Sequence, residues 1–336
     1  MSIERSRLHG RFKEISNGTG GQGSTYDVAG AKVVGLPAVY KEYHESALGQ
    51  LDLSVIDGMI ADAYELSQRD GGKELDSMLA LCAWPLESVT HWGRPVGILM
   101  PRIPDRYFIY FKRTRGGTER IEAKFELLLN GDAYLAKHVG AVTPQEKRQL
   151  LAAVALGMKT LHGKQICVGD LSPINLLWSL KPTPAVYFID CDSFCRQGKS
   201  ASGLVETPGW EARPGEQLGT AAADVYKFGL LVLRLLVGDQ MTRDPKALPR
   251  GTARSVRELV KRSLDPTPSK RPAMSEWCDA LGAGNPCSYG LTPAAAEFCK
   301  AALKWTAAIL AGIMLLAVGI RYWWVLALLA LLAVFA

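Results

Sequence analysis

Neither a CxxC pair nor an HExxH motif occurs anywhere in these 336 residues. The seven cysteines (Cys82, Cys167, Cys191, Cys195, Cys278, Cys287 and Cys299) are odd in number and irregularly spaced. That argues against a disulfide-built scaffold and reads as reduced thiols in a cytosolic setting. The five histidines are scattered without zinc spacing, so no structural metal is expected. The opening stretch MSIERSRLHGRFKEI is too charged for a secretory signal. Internal repeats are lacking, and so is any long run of one charge. The 39 basic and 33 acidic residues are interspersed, giving a formal charge of +6. Modest clusters at Lys112 to Arg115 and Arg250 to Arg262 read as solvated faces, and nucleic acid is not expected as a partner.

What is abundant is apolar surface: 48% of the residues are hydrophobic, enough to fill a substantial core. Its densest stretch closes the sequence. Trp305 to Ile320 carries no charge, Arg321 interrupts, and Tyr322 to Ala336 is uncharged again. A helix of the first stretch would be roughly 24 Å long, slightly short of a hydrocarbon core of about 30 Å. Residues 304–336 are therefore expected to hold transmembrane structure. Three arrangements stay open: one span with Arg321 snorkelling, a short hairpin turning at Arg321-Tyr-Trp-Trp, or one span with an interfacial tail. The interfacial aromatics Tyr322, Trp323 and Trp324 lean toward the hairpin. Lys300 and Lys304 place the preceding region on the cytoplasmic side of the inner membrane.

Residues 1–105 read as strand-rich, with short β-branched and aromatic runs such as STYDVAG, PAVYKEY and RPVGILMPRI bounded by Gly, Pro and Asn. Within them, the spacing of Leu53, Ile56, Ile60 and Tyr64 predicts a helix over 50–69. Residues 106–282 read as mainly helical. Thr143-Pro-Gln-Glu146 is a capping box that opens a helix lined by Leu150, Leu151, Val154, Met158 and Leu161. A second helix, over 222–237, is apolar nearly all round and is expected at the centre of the core. Gly, Pro and Ala crowd the stretch from Gly282 to about Ala296, and residues 283–303 read as a linker.

Three motifs carry chemistry. Gly18, Gly20 and Gly23 lie in NGTGGQGSTYDV between two strand-like runs, and no helix opens after Gly23, so this is no dinucleotide fingerprint. Lys41 follows in AVYKEY; a lysine on a strand beneath a glycine flap can neutralise phosphate oxygens. In VGDLSPINLLW, Asp170 and Asn175 stand as D-x-x-x-x-N, and VYFIDCDSF then presents Asp190, with Asp192 beyond it. Carboxylate and amide oxygens at strand ends suit Mg²⁺, and a carboxylate free of metal can orient or deprotonate a hydroxyl. Taken singly, each has a plainer reading as a hairpin glycine, an exposed strand lysine or a turn acid.

Together these motifs resemble a eukaryotic-type protein kinase domain of a bacterial membrane-attached kind, matched over about residues 12–282. The resemblance implies an α+β, bilobal fold, with a β-rich lobe over 1–105, a larger helical lobe over 106–282, and the membrane segment after them. It implies that Gly18, Gly20 and Gly23 form the phosphate flap, with Thr25 in place of the usual Val. By the same resemblance Lys41 orients ATP, and backbone atoms near Met100 to Arg102 hold adenine. Asp170 becomes the catalytic aspartate, and Asn175 and Asp190 the ligands of Mg²⁺, or of Mn²⁺. Glu65 is the preferred acidic partner of Lys41, with Asp62 second. ETPGWEARPGEQ resembles the end of an activation segment, so Glu216 would pair with Arg271, and Asp224 matches a buried acid. The implied activity is transfer from ATP to Ser/Thr hydroxyls of protein substrates, and a partner phosphatase is expected by resemblance alone. Departures are the sequence Val168-Gly169-Asp170 in place of HRD, Ser172 in place of a lysine, and Asp190-Cys191-Asp192 in place of DFG. They keep a non-catalytic, nucleotide-binding scaffold in view. GDLSPIN and FIDCDSF also resemble aminoglycoside-type phosphotransferases.

Overall fold

The computed structural model describes residues 2–8, 12–15, 22–201 and 203–283. A six-stranded sheet is made of β1 (Ser2–Glu4), β2 (Phe12–Glu14), β3 (Gly23–Val33), β4 (Leu36–Tyr43), β5 (Glu87–His91) and β6 (Arg94–Pro101). Their order is β1-β5-β6-β4-β3-β2, with β1 parallel to β5 and the other neighbours antiparallel. Register places Lys41 of β4 opposite Thr25 of β3 and Ile98 of β6. Lys41 is thus fixed in a central strand, where backbone bonds on both edges leave its Cα little freedom.

Helix α1 (Glu45–Leu48) and helix α2 (Leu53–Gln68) follow β4. Asp52 caps α2 by accepting the Ser54 N–H at 3.1 Å, and Val55, Ile56, Met59, Ile60 and Ala63 bury the inner face. The predicted Tyr64 is instead half exposed, because the apolar stripe runs through Ala63 and Leu66. Helix α3 (Lys73–Leu79) then leads back toward the sheet.

Beyond β6, a hairpin of β7 (Phe108–Lys112) and β8 (Thr118–Glu122) precedes α4 (Asp132–His138) and α5 (Pro144–Gly163). α5 starts at the predicted capping box: Thr143 Oγ1 accepts the Glu146 N–H, and Glu146 accepts the Thr143 N–H. Strands β9 (Ile166–Cys167), β10 (Leu176–Ser179) and β11 (Ala185–Phe188) come next, with β10 and β11 antiparallel. Then follow β12 (Cys195–Arg196), β13 (Lys199–Ser200), α6 (Ala221–Val237), α7 (Arg254–Ser263) and α8 (Met274–Leu281). α6 is buried almost end to end, as its all-round apolarity requires.

The expected α+β, two-lobed kinase-like fold with membrane segments is corrected here to a mixed α/β unit. A contact-defined unit covers Met1–Ser288. One apolar core runs from Val33 through Leu281 across the change in composition near residue 105. Ala83 N–H donates to Phe188 O at 3.0 Å, and Trp84 meets Phe194 edge-on at 6.5 Å, so residues before and after that point share one interior. The shift from strands to helices marks a change of layer rather than a break in packing. No helix among the described residues is long and apolar enough to cross a membrane. The spans expected over 304–336, and the linker beyond residue 283, lie outside the described residues.

Candidate functional site

Lys41 is buried, and its ammonium donates to Asp190 Oδ1 at 2.6 Å and to Asp192 Oδ1 at 2.9 Å. Tyr43, two residues along the same strand and so on the same face, donates its hydroxyl to Asp192 Oδ2 at 2.8 Å. Both acids come from the turn after β11. Asp190 holds a left-handed backbone, φ 59°, which swings its carboxylate away from the strand direction, and Asp192 sits in the 3-10 turn Cys191–Ser193. The two differ in access: the Asp190 side chain is 43% exposed and that of Asp192 is 2% exposed. Burial disfavours the Lys41 cation, but the charges of Asp192 and Asp190 outweigh it and hold the ammonium above its ordinary pKa. Lys41 in turn lowers the Asp190 carboxyl below the usual carboxylate range. Burial, then the Asp192 charge, pushes the Tyr43 phenol up, so it stays a donor.

Asp170 lies across the cleft. Its carboxylate accepts the Thr207 hydroxyl at 2.7 Å, the Thr207 N–H at 3.0 Å and Asn175 Nδ2 at 3.1 Å. The loop is held from below by Asp224 of α6, which is fully buried. Asp224 accepts the N–H groups of Val168 at 2.7 Å and Gly169 at 2.9 Å, and lies 2.9 Å from His162 Nε2. Lys227, one turn further along α6 and also fully buried, donates to Gly169 O at 2.8 Å. It pairs with Glu206 at 2.8 Å and lies 3.6 Å from Asp170 Oδ1. Gly169 needs its glycine, since its φ is +73°.

Ile189 N–H donates to Asn175 O at 3.0 Å, which sets Asn175 beside the strand end carrying Asp190. Its Nδ2 is committed to Asp170, donating to the backbone O at 3.2 Å and to Oδ2 at 3.1 Å. A cavity of about 560 Å³ joins these groups; Gly23, Lys41, Asp170, Asp190 and Thr207 all line it. The carboxylates of Asp170 and Asp190 at its wall are hard oxygen donors of the kind Mg²⁺ takes, whereas Asn175 is not among the lining residues, and the lysine suits phosphate oxygens. The chemistry of this lining, two carboxylates and an ammonium, is compatible with a divalent cation and an anionic ligand.

Several sequence expectations need revising. Glu65 bonds Arg69 at the surface rather than Lys41, and Asp62 pairs with Arg196, with one bond at 2.6 Å. Neither Glu65 nor Asp62 supports the lysine, whose carboxylate partners are Asp190 and Asp192. Met100 and Arg102 are not among the cavity's lining residues: Met100 pairs with Val39, and Arg102 reaches Asp27 at 3.0 Å. Gly18 and Gly20 lie outside the described residues, while Gly23 lines the cavity. Ser172 is buried rather than turned to the cleft. Arg271 and Glu216 do form a buried bidentate pair, one bond at 2.8 Å.

Sequence reasoning gave no role to Asp192, Thr207, Lys227 or Glu206. For Lys227 the signal was present: an ammonium in a helix that is apolar apart from Asp224 and Arg234 needs a buried anion. His162, Cys167 and Asp224 also cluster, with potential ligand atoms within 4.8 Å of one another. Asp224 already serves two backbone N–H groups, so this cluster reads as a loop anchor. In comparisons with known proteins, no family profile and no curated protein matches this chain.

Proposed function

We propose that this cleft transfers a phosphoryl group from Mg²⁺-ATP to Ser/Thr hydroxyls of protein substrates, as a serine/threonine protein kinase activity. The observation that carries the reading is the convergence of Lys41, Asp190 and Asp170 on one cavity. Bound Mg²⁺-ATP would supply the activated phosphoryl group and neutralise part of its charge. Asp190 and Asn175 would hold the cation, and Lys41 would neutralise phosphate oxygens. Asp170 would accept the proton of the acceptor hydroxyl, orienting it for in-line attack. Phosphoryl transfer asks the protein mainly for positioning and charge, which buried Lys41 and the hydrogen-bonded Asp170 and Asp190 would supply.

A specific observation favours a second reading, a nucleotide-binding scaffold without transfer: Thr207 and Asn175 already occupy the Asp170 carboxylate. The full-length chain, incubated with Mg²⁺, labelled ATP and generic protein acceptors, separates the two. Transfer that disappears in Asp170→Asn supports the catalytic reading. Nucleotide binding with no transfer above the Asp170→Asn background rejects it in favour of the scaffold. Label passing only to small hydroxylated molecules rejects protein acceptors.

A further inference from the structure

Among the described residues, Lys41 has two carboxylate partners, and they are unequal. Asp190 Oδ1 is nearer, at 2.6 Å, yet its side chain is 43% exposed and lines the cavity. Asp192 is 2% exposed, does not line the cavity, and has its second oxygen fixed by the Tyr43 hydroxyl at 2.8 Å. An accessible carboxylate can exchange the ammonium for a metal ion. A carboxylate shut in the interior cannot do so without leaving the Tyr43 phenol unpaired and taking from Lys41 one of its two carboxylates.

The two acids of α2 expected to anchor the lysine are committed elsewhere. Asp62 is held by Arg196 and Glu65 by Arg69, the latter pair largely exposed. The anchor of Lys41 is therefore independent of α2 and comes from the same turn as the candidate metal ligand.

We propose that Asp192 is the positioning residue for Lys41: it holds the ammonium when Asp190 turns to a cation, so that the nucleotide-facing lysine is set by the 190–192 turn and Tyr43 rather than by α2. This rests on the reading that the cleft takes Mg²⁺-ATP. Without Asp192, Lys41 has only Asp190 to pair with, and the ammonium then competes directly with the metal for that carboxylate.

Two measurements on the full-length chain test it. In nucleotide-free protein, reductive methylation followed by peptide mass analysis reads access to the Lys41 amine. Asp192→Asn is expected to speed labelling of Lys41 about tenfold, equivalent to about 1.4 kcal/mol. Tyr43→Phe, which keeps every charge, should speed it about threefold, and Glu65→Gln should match the parent. In the second measurement, Mg²⁺ is titrated against binding of a fluorescent ATP analogue. Asp192→Asn should need about tenfold more Mg²⁺ for half-saturation, and Glu65→Gln the same amount as the parent. Labelling unchanged in both Asp192→Asn and Tyr43→Phe, or raised in Glu65→Gln instead, overturns the proposal. Should Asp192→Asn fail to fold, Tyr43→Phe decides alone. If the parent binds no nucleotide, the phosphoryl-transfer reading fails, and the labelling result by itself upholds or overturns the anchor.

Discussion

Thr207 sets its hydroxyl 2.7 Å from Asp170 Oδ2 and its backbone N–H 3.0 Å from Oδ1, so one residue of the 203–208 segment meets both oxygens of the candidate base. The pair ties that segment to the loop after β9. Thr207→Val keeps the backbone bond and the side-chain shape while deleting the hydroxyl. Asp170 then keeps its charge but loses one of the bonds that fix its rotamer. The expected result is a fall in kcat of about tenfold, the worth of one charge-assisted hydrogen bond, with KM for ATP within about twofold of the parent. Steady-state kinetics with a generic protein acceptor measure both. A fall in ATP affinity with kcat intact would assign Thr207 to nucleotide binding instead.

Asp224 carries a heavier structural load. Its two oxygens serve the N–H groups of Val168 and Gly169 and face His162, all with the carboxylate fully buried. Asp224→Asn replaces one acceptor by an NH₂ group, which must then face an N–H or the imidazole. A buried donor left unmet costs about 1–3 kcal/mol, and the lost charge–dipole contact adds to it, so destabilisation of about 3 kcal/mol is expected. Urea unfolding followed by tryptophan fluorescence checks the figure. Because the loop it holds presents Asp170, phosphoryl transfer should fall further than the folded fraction does.

Gly97 marks where β6 passes close against β4. A Cβ there would crowd the Lys41 carbonyl and lie 2.6 Å from Tyr40 Cε2. Backbone offers no room to yield, so Gly97→Ala must part the strands on the very residue that carries the lysine. Overpacking costs about 1–3 kcal/mol in general, and the upper end is expected here. Chemical denaturation should show that loss, and amide exchange should speed along Val39 to Glu42. An unchanged exchange pattern would mean the strain is absorbed elsewhere.

Much of this site was legible in the sequence, for identifiable reasons. Asp170, Asn175, Asp190 and Lys41 are polar residues inside apolar runs, and such residues announce themselves because their burial is costly unless they are paired. The capping box at Thr143 and the buried course of α6 are set by local rules, and both appear in the structure. The partner of Lys41 was not legible. Periodicity places Glu65 on a helix, but only the packing angle of that helix decides whether its carboxylate reaches β4, and Arg69 and Arg196 hold Glu65 and Asp62 away. Likewise the change from strands to helices near residue 105 says nothing of whether apolar surfaces on the two sides meet. Trp84 and Phe194 show that they do.

The cysteines around the loop give a pH signature whose sign follows from their burial. Cys167 and Cys195 are cross-strand partners on β9 and β12. Burial, reinforced by the Asp224 charge, pushes the Cys167 thiol up to about 12 and the Cys195 thiol to about 11. In the unfolded chain both ionise from roughly pH 8.5 upward. Between that point and pH 11 to 12 the unfolded state therefore binds fewer protons than the folded one, and stability falls as pH rises through the window. Below it the thiols contribute no slope. Urea midpoints taken from pH 8 to 11 should decline for the parent. Cys167→Ala and Cys195→Ala should each flatten part of that decline, which separates the thiols from Tyr187, whose phenol burial also pushes up. Iodoacetamide at pH 8 should label neither residue in the folded protein at a rate approaching that in urea, because the reactive thiolate is scarce there. Rapid labelling of native Cys167 at that pH would mean the loop above Asp224 opens readily, and the rigid presentation of Asp170 inferred from its hydrogen bonds would have to be given up.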